Sequence, residues 1–230
     1  MKKETRQHWD IPDIDALLDP APLPLETGTC QLADGRRVVA VRNPLLNCTG
    51  AMLEWWFTFF ETTEHLKWWH PHDHIHHGGW DEQWVKGENY LGATIQAVEA
   101  LGSVPPVAAK IRFSSPEHFF SAEKVQAARA NGGMSAAICG CIGFGEEIAL
   151  DACGNPLDGR MIHLVRDTPW GCVLRSRFIL GEAPGGQPLP EEIALGLLQH
   201  CQEEFTTLSL ILPALYAAER AAALAPPDRG

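Results

Sequence analysis

The C-terminal stretch constrains the fold most. After Pro188 and Pro190, the run Glu191–Ala223 is built from helix formers and opens on the acids Glu191 and Glu192. Apolar residues recur in it at Ile193, Leu197, Leu198, Phe205, Leu208, Leu212 and Leu215. Steps of three and four residues put them on one side of a helix, and acids in the first turn suit the positive end of the helix dipole. Pro213 removes a backbone donor and crowds the carbonyl four residues back, which predicts a kink or interruption in the second half. An amphipathic helix of this length needs a large partner surface.

The upstream pattern supplies one. Short apolar runs separated by Gly, Pro and Asn predict strands at Leu66–Trp69, Leu91–Leu101, Ala108–Phe113, Met134–Gly143, Met161–Arg166 and Cys172–Leu180. TCQLADGRRVVAVRN reads as a hairpin turning at Ala33-Asp34-Gly35. In TGAMLEWWFTFFETT, Thr49 is an N-cap, and Met52, Trp56, Phe59 and Phe60 fall at helical spacing. Residues 116–130 add a short helix. Residues 1–27, rich in Pro and acids, read as an irregular arm with one short helix, and 28–225 as a single domain. The expectation is an α+β fold, with a curved antiparallel sheet around the long C-terminal helix and a cavity between them.

Composition narrows the function. A chain of 230 residues, 45% hydrophobic, can bury the core of one large domain. A net charge of -11 argues against nucleic acid and against an anionic membrane surface. The basic start MKKETRQHWDIP has no apolar run behind it. Leu208–Ala218 is too short to span a bilayer and contains Pro213. Seven scattered cysteines, an odd number, read as reduced thiols of a cytoplasmic protein. Cys139 and Cys141 have no second pair at zinc spacing and read as small buried strand residues. The apolar LSLILPALYAA is longer than one cavity needs, which suggests a homodimer contact.

Three features carry chemistry. Six histidines lie at His65, His70, His72, His74, His76 and His77. If the chain stays extended, 70, 72, 74 and 76 share one strand face; a polar loop is the alternative. On the C-terminal helix, His200 and Glu204 stand four apart, beside Leu197 and Leu208 on the apolar side. A glutamate facing a core is rare unless paired or metal-bound, and a hydrogen-bonded structural pair is the alternative. Glu99 shares a strand face with Ile95 and Ala97, or lies at an exposed edge. Two imidazoles and two carboxylates would suit zinc with an open position for water or substrate. The same ligand types also suit manganese(II) or iron(II).

EWW at 54–56, LKWWHPHDH at 66–74, GATIQAVEALG at 92–102, HLVRDTPWGCVLRSRF at 163–178 and HCQEEF at 200–205 resemble the diacetylphloroglucinol hydrolase family, which includes phloretin hydrolase. The resemblance covers roughly residues 28–205. It implies a Bet v 1-like helix-grip core and zinc-dependent hydrolysis of a carbon–carbon bond between a ring and an acyl carbonyl. It implies zinc ligands at His74, Glu99, His200 and Glu204, and a catalytic histidine at His163. A polar position three residues past the first ligand falls on His77. Tyrosines that hold phenolic groups in the family fall on Leu66 and Phe178, which carry no hydroxyl. The implied substrate is therefore not diacetylphloroglucinol itself.

The resulting expectation is a zinc-dependent hydrolase of retro-Claisen type acting next to a ketone in a small hydrophobic or aromatic acyl substrate. His163 and His77 are its catalytic residues, and Leu66, Trp69, His70 and Phe178 its substrate contacts, with further walls from Trp55, Trp56 and Trp68. The alternatives are a non-catalytic helix-grip binding protein, or another metal-dependent lyase or isomerase on the same scaffold. Arg175 and Arg177 read as strand-end salt bridges, with a substrate carboxylate as the other use.

Overall fold

A computed structural model describes residues 14–102, 104–182 and 189–224. Residues 1–13 of the arm and Pro188 lie outside the described residues. Eight strands, all paired antiparallel, form one sheet: β1 (Gly28–Gln31), β2 (Arg37–Leu46), β3 (His74–Trp80), β4 (Thr94–Leu101), β5 (Val104–Ser114), β6 (Ala136–Phe144), β7 (Gly159–Thr168) and β8 (Gly171–Leu180). Their order is β1-β2-β8-β7-β6-β5-β4-β3. Four α-helices accompany them: α1 (Gly50–Phe59), α2 (Thr63–Trp69), α3 (Ala122–Ala130) and α4 (Glu191–Leu224). A long C-terminal helix lying against an antiparallel sheet is the α+β, helix-grip arrangement expected from the sequence.

Strand alternation decides which residues face α4. In β7, Met161 and Val165 belong to the core shared with Leu197, Phe205 and Leu212 of α4, while Ile162 and Leu164 pack on the opposite side against Leu17, Phe119 and Phe120. The central strands are thus buried on both faces, which is why β6 to β8 read as near-continuous apolar runs. In β8 the outward positions are Arg175 and Arg177. Arg175 binds Glu26 and the carbonyls of Asp19 and Ala21, and Arg177 binds the carbonyl of Leu25. Both arginines therefore pin the arm to the sheet. The arm's short helix is a 3-10 turn at Ile14–Leu18.

The hairpin forms as expected, pairing Gln31 with Arg37. Thr49 caps α1, its side chain accepting from the Met52 amide. Two expectations are corrected. Leu66–Trp69 is not a strand but the body of α2: Thr62 caps it by accepting from His65 N–H, and Leu66 and Trp69 bury one face three residues apart. A four-residue apolar run cannot by itself distinguish strand from helix. Of the kink or interruption expected at Pro213, the interruption does not occur: α4 continues to Leu224 with the proline inside it. The Ser209 carbonyl, left without its helical donor by the proline, faces the buried Cys48 thiol at 3.8 Å.

Candidate active site

Helix α2 ends at His70, and a turn carries the chain into β3, which begins at His74. Only His74 to Trp80 is extended, with register shifts after His74 and after His77. Alternate histidines therefore do not share one face: His70 and His74 are buried, while His72 and His76 face solvent. In the ladder, His74 sits directly opposite Glu99 of β4. Glu99 shares its face with Ile95 and Leu101, and all three border the cavity. From α4, His200 and Glu204 project one turn apart toward the same place. The helix comes close enough because residue 196 is glycine: a Cβ there would lie 2.7 Å from the Leu101 carbonyl oxygen.

The four side chains converge. His74 Nε2 is 3.9 Å from Glu99 Oε1 and 3.8 Å from Glu204 Oε2, and His200 Nε2 is 3.9 Å from Glu204 Oε2. The ligand atoms of His74, Glu99 and His200 all lie within 4.8 Å of one another, and Glu204 stands 3.8–3.9 Å from both imidazoles, a spacing close to that of nitrogen and oxygen ligands around one zinc ion. The tautomers suit this use. His74 Nδ1 lies 2.8 Å from the Leu66 carbonyl, which can only accept, so Nδ1 carries the proton. His200 Nδ1 lies 3.2 Å from Asp73 Oδ2 and donates to it. Both Nε2 lone pairs therefore face the two carboxylates.

Burial sets the charges. It lowers His74 to about 4 and lowers His200, so both imidazoles are neutral at pH 7, as metal ligands must be. Burial raises Glu99, and burial with the neighbouring Glu99 charge raises Glu204 well above the ordinary carboxylate range. Glu204 is 5% exposed, and among the described residues it meets no lysine or arginine, so a cation between the four groups would restore its ionised form. The residues fit a divalent metal by donor type, spacing and charge.

Asp73 was not singled out in the sequence, although it stands inside HPHDH. Burial pushes its carboxyl up, but hydrogen bonds from Gly102 N–H and His200 outweigh this and hold it low. Its carbonyl also accepts from Ala100 N–H at 2.8 Å, so one residue ties the turn, the end of β4 and α4 together. His70, Asp73 and His200 form a second convergent group. Within it, His70 Nδ1 accepts from Asp73 N–H, which places the ring proton on Nε2; that atom is buried without a hydrogen-bond partner, 3.4 Å from Glu203 and 3.7 Å from Asp73 Oδ2. His70 stacks on His200 at 4.8 Å and stands behind it rather than in the cavity.

The narrow cavity between sheet and α4 has an empty volume of about 670 Å³ counting its mouth. Leu66, Trp69, Phe178 and His163 line it together with the four convergent residues. His163 is 2% exposed, and burial lowers it to about 3. Its Nδ1 is 2.8 Å from Ser176 Oγ, directly across the β7–β8 ladder. His77 does not border the cavity; it meets Phe60 and Trp80 edge to face and tilted. Trp55, Trp56 and Trp68 do not border it either. Trp56 is fully buried against Phe60 and Trp69, and Trp68 is partly exposed beside His65. All seven cysteines are free, with Cys139 buried in β6. Among the described residues, no helix is long and apolar enough to cross a membrane.

Residues 9–217 match the model of the DAPG hydrolase PhiG domain family. A phloretin hydrolase from Eubacterium ramulus is 27% identical over 207 residues, covering 82% of this chain and 70% of the relative. A 2,4-diacetylphloroglucinol hydrolase from a Pseudomonas species is 25% identical over an alignment of 233 residues, covering 90% of this chain and 76% of the relative. Among solved structures, Ara h 8.0201 aligns at a TM-score of 0.45 and 11% identity, covering 77% of this chain and 99% of that one. The major latex-like protein 151 of Panax ginseng aligns at 0.42 and 11%, covering 74% and 95%.

Proposed function

We propose, from the premise that this chain belongs to the DAPG hydrolase PhiG family, that it is a metal-dependent hydrolase of carbon–carbon bonds next to a ketone. Its substrate would be a small hydrophobic or aromatic acyl compound. The observation that carries the reading is the convergence of His74, Glu99, His200 and Glu204 on an apolar cavity.

These four residues would hold zinc, and manganese(II) or iron(II) would suit the same donors. When bound, such a metal supplies Lewis-acid chemistry, polarising a carbonyl or acidifying water. Leu66 through its carbonyl and Asp73 through its carboxylate hold the two imidazoles in the required tautomer. Phe178, Leu66 and Trp69 exclude water and orient the substrate by shape.

In retro-Claisen cleavage the acyl carbon gains oxygen from water, its bond to the neighbouring carbon breaks, and that carbon takes a proton. His163 is the group suited to move the proton. Its Nδ1 is tethered to Ser176, which leaves Nε2 available on a ring that borders the cavity. His77, outside the wall, is not used.

The test is purified metal-loaded protein offered acyl ketones, with release of an acid and a ketone or arene measured by chromatography. His200→Ala should lose both stoichiometric metal and turnover. Full activity in that variant would sink the assignment, and failure of the wild-type protein to retain any divalent metal would favour a binding role on the same fold.

A further inference from the structure

We infer that the substrate class of this site is a 1,3-diketone with apolar groups on both flanks, bound through its two neighbouring oxygens. The inference rests on the hydrolase reading above and narrows it. Among the described residues, the cavity wall comprises fourteen apolar side chains and five polar ones: His74, Glu99, His163, His200 and Glu204. No serine, threonine, tyrosine, asparagine or glutamine is among them. Four of the five converge within a few ångströms. The fifth, His163, has its ring centre 4.8 Å from that of Phe205, the residue after Glu204. Elsewhere the wall is made by side chains such as Phe113, Ile142, Met161 and Phe178, on strands whose backbone groups pair within the sheet. The polar side-chain groups open to a substrate are therefore few: the four convergent residues, the unpartnered indole N–H of Trp69, whose ring centre is 5.1 Å from that of His74, and His163, joined to Trp69 through the Phe205 ring.

Two consequences follow. A ring bearing hydroxyls around its circumference would press some of them against carbon. Each buried hydroxyl left without a partner costs on the order of ten- to a hundredfold in affinity. The bond to be broken also needs somewhere for its electrons to go, and this wall offers no group to support a phenol as its keto form away from these few groups. A 1,3-diketone brings its own acceptor. The oxygen of water adds to one carbonyl carbon, and the bond from that carbon to the central carbon breaks. The electron pair moves onto the second carbonyl oxygen as an enolate, and the central carbon is then protonated. The balance is R–CO–CH2–CO–R′ plus water giving R–COOH and CH3–CO–R′, with no change in oxidation state overall. Both oxygens lie along one edge of such a molecule and both flanks point away, which matches a few polar groups in a narrow apolar cavity. His163 carries the proton from the attacking water to the central carbon.

Zinc-loaded protein should be offered 1-phenylbutane-1,3-dione, the monoketone 1-phenylbutan-1-one and 2,4-diacetylphloroglucinol, with acids and ketones quantified. The diketone should be cleaved to a carboxylic acid and a methyl ketone with kcat/KM at least about tenfold above the polyphenol, from one unpaired hydroxyl, and the monoketone should be left intact. Phe178→Tyr, which adds one hydroxyl to the wall, should shift the ratio toward the polyphenol. A wild-type preference for the polyphenol, cleavage of the monoketone at the diketone's rate, or a ratio unmoved in folded Phe178→Tyr overturns the inference and leaves the hydrolase reading standing. No cleavage of any of the three by protein carrying stoichiometric metal overturns both.

Discussion

Asp73→Ala tests how the site is held. One oxygen of Asp73 accepts from His200 Nδ1 at 3.2 Å and from Gly102 N–H at 3.0 Å, and the carboxyl is largely buried. Hydrogen bonds to a charged group contribute about 1.5–3 kcal/mol each and are not additive, so the metal-free variant should lose about 3 kcal/mol of stability. The effect on metal is separate. Without its acceptor, His200 is free to place its proton on either nitrogen and to turn, and losing such an outer partner typically costs ten- to a hundredfold in metal affinity, or about 1.4–2.7 kcal/mol. Asp73→Asn keeps the shape and one acceptor oxygen and should fall between wild type and alanine on both measures. The assay is zinc competition against a chelating dye at pH 7.5, run beside thermal denaturation in excess chelator. If Asp73→Ala is destabilised yet binds zinc with wild-type affinity, Asp73 merely braces the turn, and the orientation argument is wrong.

Gly196→Ala should destabilise by about 1–2 kcal/mol and weaken zinc binding, although alanine favours helices, because the new methyl would lie 2.7 Å from the Leu101 carbonyl oxygen and push α4 from β4; a raised Tm would contradict this. His163, lowered by burial to about 3, stays neutral in the folded chain while its unfolded counterpart protonates near 6.5. Stability is therefore lost as pH falls from about 6.5 toward 3, at up to about 1.4 kcal/mol per pH unit, and His163→Phe should flatten that part of the metal-free protein's stability–pH curve in chemical denaturation. Arg175→Met should cost about 2–3 kcal/mol, discounted for the partial exposure of Glu26, and open residues 14–27 to proteolysis, since it removes the clamp on Asp19, Ala21 and Glu26; an unchanged cleavage pattern would refute the clamp. Dialysis against a chelator should lower Tm, and zinc at about a hundredfold over Kd should restore about 2.7 kcal/mol, an effect absent in His200→Ala.

By itself, the sequence determined the elements whose signals are local and long. The period of α4, the apolar runs of β6 to β8, the Thr49 cap and the Ala33-Asp34-Gly35 turn all depend on residues within a few positions of one another, and each forms where expected. Half of the candidate site was legible for the same reason: His200 and Glu204 are neighbours on one helix face whatever surrounds them. Tertiary structure decided the rest. Leu66–Trp69 is helical because Thr62 caps it and the core takes Leu66 and Trp69, a choice no four-residue run contains. His74 rather than His70 faces the carboxylates because strand β3 starts only at His74, opposite Glu99, while the preceding turn aims His70 behind His200. Asp73 acquires its role only when the end of β4 and helix α4 meet it, through partners 29 and 127 residues away. A side chain's local period fixes its direction, but its partners are fixed by where the chain returns, and that depends on how sheet and helix close over one core.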